Sequence, residues 1–296
     1  MKIIELLTGP SRDLIAPGVI AAIAIALSCS ALSVIVVPKR LAFLGQGITH
    51  AAFGGVGIAA ILGLSVGAGF AVVAAFCILA AIVIGLMTGR ERMESNTAIA
   101  VVLVASMALG GALVHIRLTR FGPTPMAGGW ESLIFGSIRA VAPTDAVIAW
   151  VVAPLVLVAL WWLRRPMLFW AFDENAAETF GVRVGAIRIA FLALCAVTIV
   201  ISMKLAGVVL VTALLVLPGA TAMAVSRRLG VVVLLSLLVG VVGVLGGLAL
   251  AIETDLPAGP AIVGGLVGEF ALFGGLTPLI RWFCKICLRS RDEPIN

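Results

Sequence analysis

The sequence predicts an all-α, polytopic integral membrane protein: one helical bundle of about eight to nine transmembrane helices, with residues 1–296 forming a single domain. Hydrophobic residues make up 62% of the chain and charged residues only 11%, which leaves too little polar surface for a soluble globule. Apolar runs of roughly 20 residues, enough to cross about 30 Å of hydrocarbon, recur along nearly the whole chain. The alternating pattern of a barrel strand is absent, so the spans are helices.

The charge and the cysteines exclude two other classes. The net charge of +6 comes from basic residues that stand singly or in pairs between the apolar runs, which indicates membrane-flanking loops and no nucleic-acid interface. Three of the five cysteines lie in the middle of spans, so they form no disulfide framework. Cys284 and Cys287 form an isolated CxxC pair, which we interpret as incidental or lipid-modified rather than metal-binding.

The first half of the chain contains a surface helix and four predicted spans. Residues 1–15 mix apolar with charged side chains and are expected to form a short interfacial helix. The tract 115–129 is rich in proline and glycine and is expected to be a loop. The apolar piece 130–138 is too short to cross, so we expect it to be re-entrant or interfacial. The spans are expected at about 17–37, a His50-containing run that ends near 64, 66–88 and 97–114.

The second half contains five predicted spans and the largest polar interruption. That interruption, 172–188, has acidic residues first and arginines last, which is typical of a short amphipathic helix on the membrane surface. It lies on the same side as the arginine pairs at 164–165 and 227–228, and the positive-inside rule makes that side cytoplasmic. Nine alternating spans put the N-terminus outside, whereas an inside N-terminus requires one early segment to be re-entrant. The fifth span is expected at about 143–163, and the sixth runs from the end of the polar interruption to about 203. The seventh and eighth are expected at about 207–224 and 230–252, and the ninth runs from the turn 253–260 to the basic tail.

One histidine lies inside a long apolar run. Gln46 and His50 are four residues apart, so a helix places both side chains on one face, which Gly54 and Gly57 would extend without bulk. Imidazole binds zinc, manganese or iron, and an amide oxygen assists weakly. The alternative interpretation is that His50 is a hydrogen-bonded packing residue and that the glycines serve helix contact.

Two further residues inside spans have both a functional and a structural interpretation. Glu269 lies within the last span, where an ionised carboxylate costs about 3 kcal/mol or more unless it faces water or a partner. It either faces an aqueous path, or it snorkels toward the interface or is protonated at a dimer contact. Pro218 frees a backbone carbonyl in the seventh span, either as a gate hinge or as a packing accommodation.

Several separated tracts together resemble one transporter family. The tracts are 44–51 (LGQGITHA), 135–138 with Asp145, 172–182 (FDENAAETFGV), 204–222 and 255–263. In their order and spacing they are similar to the membrane-spanning permeases of the zinc, manganese and iron ABC importers, and the resemblance covers about residues 17–283.

The resemblance implies an all-helical fold like that of vitamin B12 importer permeases, commonly with eight spans, in the plasma (inner) membrane of a bacterium. It implies a homodimer or a dimer with a related permease, in contact with membrane lipid. It also implies a cytoplasmic ABC ATPase dimer and an extracytoplasmic metal-binding protein as partners. No cofactor is bound permanently, because the divalent metal is the substrate. The segment 172–188 would be the coupling helix. The residues implied for ATPase coupling are Asp173, Glu174, Glu178, Gly181 and Arg183. Separately from the resemblance, Pro218 and Gly207 are the candidates for gating or a hinge.

The chain departs from the family at one position. Family members have an acidic residue four before the histidine, where Gln46 stands here, while His50 matches. A carboxylate adds charge that holds a divalent cation, whereas an amide offers a neutral oxygen. Glu269 is the candidate replacement, so the metal-site candidates are His50, Gln46 and Glu269.

Other functions remain as alternatives. The chain has no Gly-rich GKS or GKT phosphate loop, so ATP hydrolysis requires a separate chain and this protein is not an enzyme on its own. A permease for iron chelates or cobalamin-like ligands would need a wider, apolar cavity. A secondary active metal transporter would need paired intramembrane acids or repeated broken helices. An intramembrane metallohydrolase would need an HExxH motif, which this sequence does not contain. Zinc, manganese and iron stay open, because their ligand preferences overlap.

Overall fold

The computed structural model describes residues 12–88, 93–122 and 143–275. Within these ranges every element is a helix, and the one β-type pairing is an isolated bridge between Thr88 and Met93. The all-α prediction is therefore confirmed. Most of the predicted interfacial helix, the apolar piece 130–138 and the cysteines at 284 and 287 lie outside the described residues.

Nine helices of the described chain are long and apolar enough to cross a membrane, in agreement with the predicted number. Two short helices, Arg164–Phe172 and Glu174–Thr179, lie between spans, and a π-helical turn at Phe270–Gly275 continues the last helix. In chain order the helices are α1 (Arg12–Val36), α2 (Leu44–Ile61), α3 (Val66–Met87), α4 (Ser95–Phe121), α5 (Pro143–Trp162), α6 (Arg164–Phe172), α7 (Glu174–Thr179), α8 (Val184–Met203), α9 (Gly207–Val225), α10 (Leu229–Thr254) and α11 (Ala258–Glu269).

Helices α1, α8 and α9 form the centre of the bundle. The pair α8–α9 packs against α1, α2, α3, α10 and α11. Leu32, Ile199 and Leu214 are fully buried there in one large apolar cluster. Helices α4 and α5, by contrast, leave apolar side chains such as Val104 and Leu155 exposed, as expected of surfaces that contact lipid or another subunit.

Small and hydroxyl-bearing residues bring the helices together. A Cβ on Gly57 of α2 would lie 2.8 Å from the Cα of Gly110 in α4, so this crossing requires glycine. Between α1 and α10, the hydroxyl oxygens of Ser33 and Ser236 are 3.0 Å apart, and the Ser236 hydroxyl donates to the carbonyl of Ser30 at 2.7 Å. These contacts satisfy polar groups inside the apolar bundle.

The predicted end of the fourth span is too early. Helix α4 continues to Phe121, so His115 lies on the helix and not in a loop. The apolar run ends near position 114, but a helix satisfies its own backbone hydrogen bonds and can continue into the interfacial region. There Arg117 packs over the ring of Phe121, with 5.3 Å from the guanidinium carbon to the ring centroid.

The predicted amphipathic helix over 172–188 is wrong in extent. This segment contains the end of α6, all of α7 and the start of α8. Asp173 has an extended backbone, and its Oδ1 accepts a hydrogen bond from the amide of Ala176 at 2.9 Å, which begins a new helix. Gly181 follows α7 with a φ of +79°, a left-handed conformation that favours glycine. The backbone therefore changes direction twice within the polar segment.

Adjacent glycines in α10 test the packing of α10 on α11. A Cβ on Gly247 would meet the backbone of Ile262, with its nitrogen 2.8 Å away, whereas a Cβ on Gly246 has nothing within 4 Å. We expect Gly247→Ala to destabilise the protein by about 1–3 kcal/mol, as overpacking does. Gly246→Ala should be neutral or slightly stabilising, because alanine favours the helix. Equal melting temperatures of the two purified variants in detergent would contradict this contact.

Candidate functional site

The His50 ring is oriented by its own helix. Its Nδ1 lies 2.9 Å from the backbone carbonyl oxygen of Gln46. A carbonyl oxygen only accepts, so Nδ1 is the donor, and in the neutral tautomer with this donor the lone pair is on Nε2. His50 is half-buried and Gln46 is exposed, so the pair lies at the boundary of the α2 packing surface. The predicted juxtaposition of these two side chains on one helix face is present.

The glycines near His50 serve helix packing and do not extend that face. A Cβ on Gly54 would lie 2.7 Å from the ring of Phe76 in α3, and Gly57 lies against Gly110 of α4. Both glycines are buried. The alternative interpretation of the glycines is therefore correct, and the polar face consists of Gln46 and His50.

Glu269 lies in another helix contact. It is the half-buried last residue of α11, and its Oε2 is buried without a hydrogen-bond partner among the described residues. A Cβ on Gly243 of α10 would lie 3.2 Å from that oxygen. Helix α11 packs on α10 and α8–α9, whereas α2 packs on α3, α4 and α8–α9. In the part of the chain described, no group of three or more His, Cys, Asp or Glu side chains could hold a metal ion.

The two hinge candidates differ in backbone geometry. Gly207, between α8 and α9, has φ 79° and ψ 164°, a conformation that is essentially restricted to glycine. It is the one residue of Val184–Val225 with non-helical dihedral angles. Helix α9 keeps helical dihedral angles through Pro218, and a Cβ on the adjacent Gly219 would lie 2.7 Å from the carbonyl oxygen of Ser33. The helical run is therefore interrupted at Gly207.

Two acidic residues of the predicted coupling set act within the fold. We call residues 164–183, which contain α6 and α7, the α6–α7 segment. Asp173 caps α7, as described above. Glu174 forms ion pairs with Lys39 at 2.9 Å and with Arg188 at 3.4 Å. These contacts direct Glu174 toward the membrane helices.

The outer surface of the α6–α7 segment combines charge with aromatic rings. Glu178, Gly181 and Arg183, the other predicted coupling residues, are exposed. Phe180 is 77% exposed, and its ring centroid is 5.8 Å from that of Phe169. Exposed aromatic rings at a polar segment are typical of a protein-binding surface. These phenylalanines were not predicted from the sequence as functional residues, although aromatic residues beside charges outside the spans were a visible signal.

The nine apolar helices of the described residues, with a structured polar segment between two of them, are typical of a polytopic membrane transport protein. The chain matches the profile of the ABC 3 transport family over residues 11–273 and belongs to that family. It is therefore a multi-pass inner-membrane permease subunit of an ABC transporter, and it is not itself catalytic. The predicted family resemblance is confirmed.

Relatives from bacterial transport systems cover most of the chain. The manganese transport system membrane protein MntC of Halalkalibacterium halodurans is 29% identical over 82% of this chain and 80% of its own. The manganese import system permease protein ScaB of Streptococcus parasanguinis is 29% identical over 82% of this chain and 84% of its own. The chelated iron transport system membrane protein YfeD of Yersinia pestis is 28% identical over 83% of this chain and 79% of its own.

Two solved structures share the fold. PsaBC from Streptococcus pneumoniae, in complex with a Fab, has a TM-score of 0.74 and 27% identity, over 92% of this chain and 93% of its own. A metal-chelate type ABC transporter in an inward-facing conformation has a TM-score of 0.69 over 90% of this chain and 89% of its own. At 16% identity the second likeness concerns the fold alone. The predicted ABC importer permease fold is confirmed.

The backbone at Gly207 gives a second stability test. Alanine in the conformation of Gly207 costs about 1–3 kcal/mol, so we expect Gly207→Ala to lower the melting temperature in detergent. Gly230→Ala is the control, because a Cβ on Gly230 in α10 has nothing within 4 Å and its φ is not positive. Equal thermal stability of both variants would show that the break at Gly207 needs no glycine.

Proposed function

We propose that this permease moves a divalent transition metal ion along a path lined by His50. Manganese and iron are the first candidate substrates. The observation that carries the proposal is the orientation of the His50 ring. Its Nδ1–H is held by the Gln46 carbonyl at 2.9 Å, which leaves Nε2 available as a metal ligand. Metal-binding histidines commonly donate their other ring N–H to a backbone carbonyl in this way.

The composition of the His50 face suits passage rather than storage. The nearby Gln46 offers a neutral amide oxygen, and a conducting site must bind an ion weakly enough to release it. A second permease copy would bring a second His50–Gln46 pair, so a dimer would supply the ligands that one chain lacks. Glu269 would serve either as a further polar contact on the path or as a protonated group at a dimer contact.

The names of the relatives support the choice of metal. The MntC and ScaB relatives are named for manganese, and the Yersinia pestis relative for chelated iron. An iron-chelate substrate is therefore the second candidate. Uptake of free Mn²⁺ or Fe²⁺, compared with uptake of an iron chelate, distinguishes the two.

The α6–α7 segment would dock on a separate cytoplasmic ABC ATPase dimer. The proposal is supported by the arginine pairs on the same side of the membrane, by the exposed Glu178, Gly181 and Arg183, and by the exposed Phe180 ring. An extracytoplasmic metal-binding protein would deliver the ion to the opposite side. Gly207, where the backbone is already interrupted, would be the hinge through which α8 and α9 change their relative orientation.

The first functional test compares the two histidines of the chain. In cells that depend on this permease, we expect His50→Ala to lower uptake of radiolabelled Mn²⁺ about tenfold or more, because loss of one ligand or of its support commonly weakens metal binding tenfold to a hundredfold. His115→Ala, at an exposed position of α4, should retain uptake at equal membrane abundance. Normal uptake by His50→Ala would remove His50 from the path.

The second functional test concerns ATPase docking. Phe180 and Phe121 are both exposed phenylalanines, and their rings contact Phe169 and Arg117 respectively. We expect Phe180→Ser to reduce the amount of ATPase that co-purifies with the permease, because an exposed aromatic anchor is lost. Phe121→Ser, at the end of α4, should leave co-purification unchanged. If both variants retain the ATPase equally, the aromatic surface is not the docking site.

A further inference from the structure

Glu174 differs from the exposed charges of the α6–α7 segment in the direction of its contacts. Oε2 lies 2.9 Å from Lys39 Nζ, and Oε1 lies 3.4 Å from Arg188 Nη1. The side chains of Lys39 and Arg188 are only 16% and 17% exposed, and that of Glu174 is 33% exposed. Ion pairs with this degree of burial are screened less than pairs in open solvent.

These two ion pairs connect separate parts of the bundle. Lys39 follows α1 and precedes α2, the helix that carries His50, and Arg188 lies in α8. Lys39 also lies over the ring of Trp170 in α6, with Nζ 4.5 Å from the centroid. The Trp170 ring contacts Phe191 of α8 at a centroid distance of 5.6 Å. One carboxylate of α7 is thus joined to the turn before α2 and to the start of α8.

A cavity of about 290 Å³ lies at this junction. The cavity shows that side chains do not fill part of the boundary between α7 and the membrane helices, and both apolar and polar residues line it. The ion pairs of Glu174 connect the two sides of this incompletely packed junction directly. Glu94 is the other acidic residue of the wall, so two acids face two bases. The cavity lining includes Lys39, Glu94, Trp170, Glu174 and Arg188.

We propose that Glu174 is a positioning residue that transmits movement of the α6–α7 segment to α2 and α8 without touching the ATPase. The inference rests on the proposed function, since it assumes that the segment is moved by a docked ATPase. It changes the role implied by the family resemblance, in which Glu174 belongs to the docking surface. The docking contacts are then left to the exposed residues, among them Glu178 and Phe180.

The test separates docking from transmission. The permease is purified with the ATPase that accompanies it, reconstituted in liposomes, supplied with its extracytoplasmic metal-binding protein loaded with Mn²⁺ or Fe²⁺, and assayed for co-purified ATPase, ATP hydrolysis and metal uptake. We expect Glu174→Gln, which keeps the shape of the side chain, to retain the ATPase and hydrolysis but to lower Mn²⁺ transported per ATP about fivefold or more, as loss of a coupling contact does. Glu253→Gln, at the exposed end of α10, is the matched control and should change none of the three.

Lys39→Met approaches the same connection from its other end and covers the case in which Glu174→Gln does not fold. It should retain the ATPase and lower the ratio of transport to hydrolysis. The double variant should be no worse than Glu174→Gln alone, because residues that act as one unit are not additive. Additive losses would overturn the inference, as would unchanged coupling in both single variants.

Two outcomes separate this inference from the proposed function. If Glu174→Gln loses the co-purified ATPase while wild type keeps it, Glu174 belongs to the docking surface and the inference fails. If the wild-type complex takes up neither Mn²⁺ nor Fe²⁺, the proposed function itself fails. A wild type that transports while Glu174→Gln transports equally well per ATP contradicts the inference alone.

Discussion

The structure depends on the requirement that backbone polar groups in hydrocarbon find partners inside the protein. This requirement makes every described element helical, and it leaves side chains to decide how the helices meet. Where α2 crosses α4 the helices approach through Gly57 and Gly110, and where α1 meets α10 serine hydroxyls form hydrogen bonds across the contact. Buried hydroxyl side chains such as that of Ser236 are joined to backbone or to one another, whereas an ionisable side chain such as His50 or Glu269 within a span is a candidate for function.

His50 and Glu269 show two ways in which a polar side chain is placed among apolar helices. The α2 backbone orients the His50 ring through one carbonyl, so the side chain is held by its own helix. Glu269 has a buried oxygen with no hydrogen-bond partner among the described residues, next to a glycine of α10 and a π-helical turn. π-Helical turns are frequent at functional sites. These arrangements belong to different helix contacts, which is consistent with a path that has more than one polar point.

The segment between α5 and α8 has an outer and an inner surface with different chemistry. Outside, Phe180 and Arg183 are exposed, as a surface that binds another subunit requires. Inside, Glu174 is paired with Lys39 and Arg188, which belong to parts of the chain far apart in sequence. A segment with this division can receive a force on one surface and pass it on through the other, provided that its own backbone is rigid. The Asp173 cap and the positive φ of Gly181 define where α7 begins and ends.

The sequence by itself determined the membrane class, the number of spans, most of their boundaries and the helix face shared by Gln46 and His50. These features depend on local hydropathy and on the fixed period of a helix, and both can be read along the chain. Only the tertiary structure decided that Gly54 and Gly57 pack against α3 and α4, that α4 continues past position 114, and that Glu174 faces inward. Each of these depends on which residues distant in sequence become neighbours, because the same glycine or carboxylate serves equally well on an open surface or in a contact. The pairing of Glu174 with Lys39 in particular joins residues that no local pattern connects.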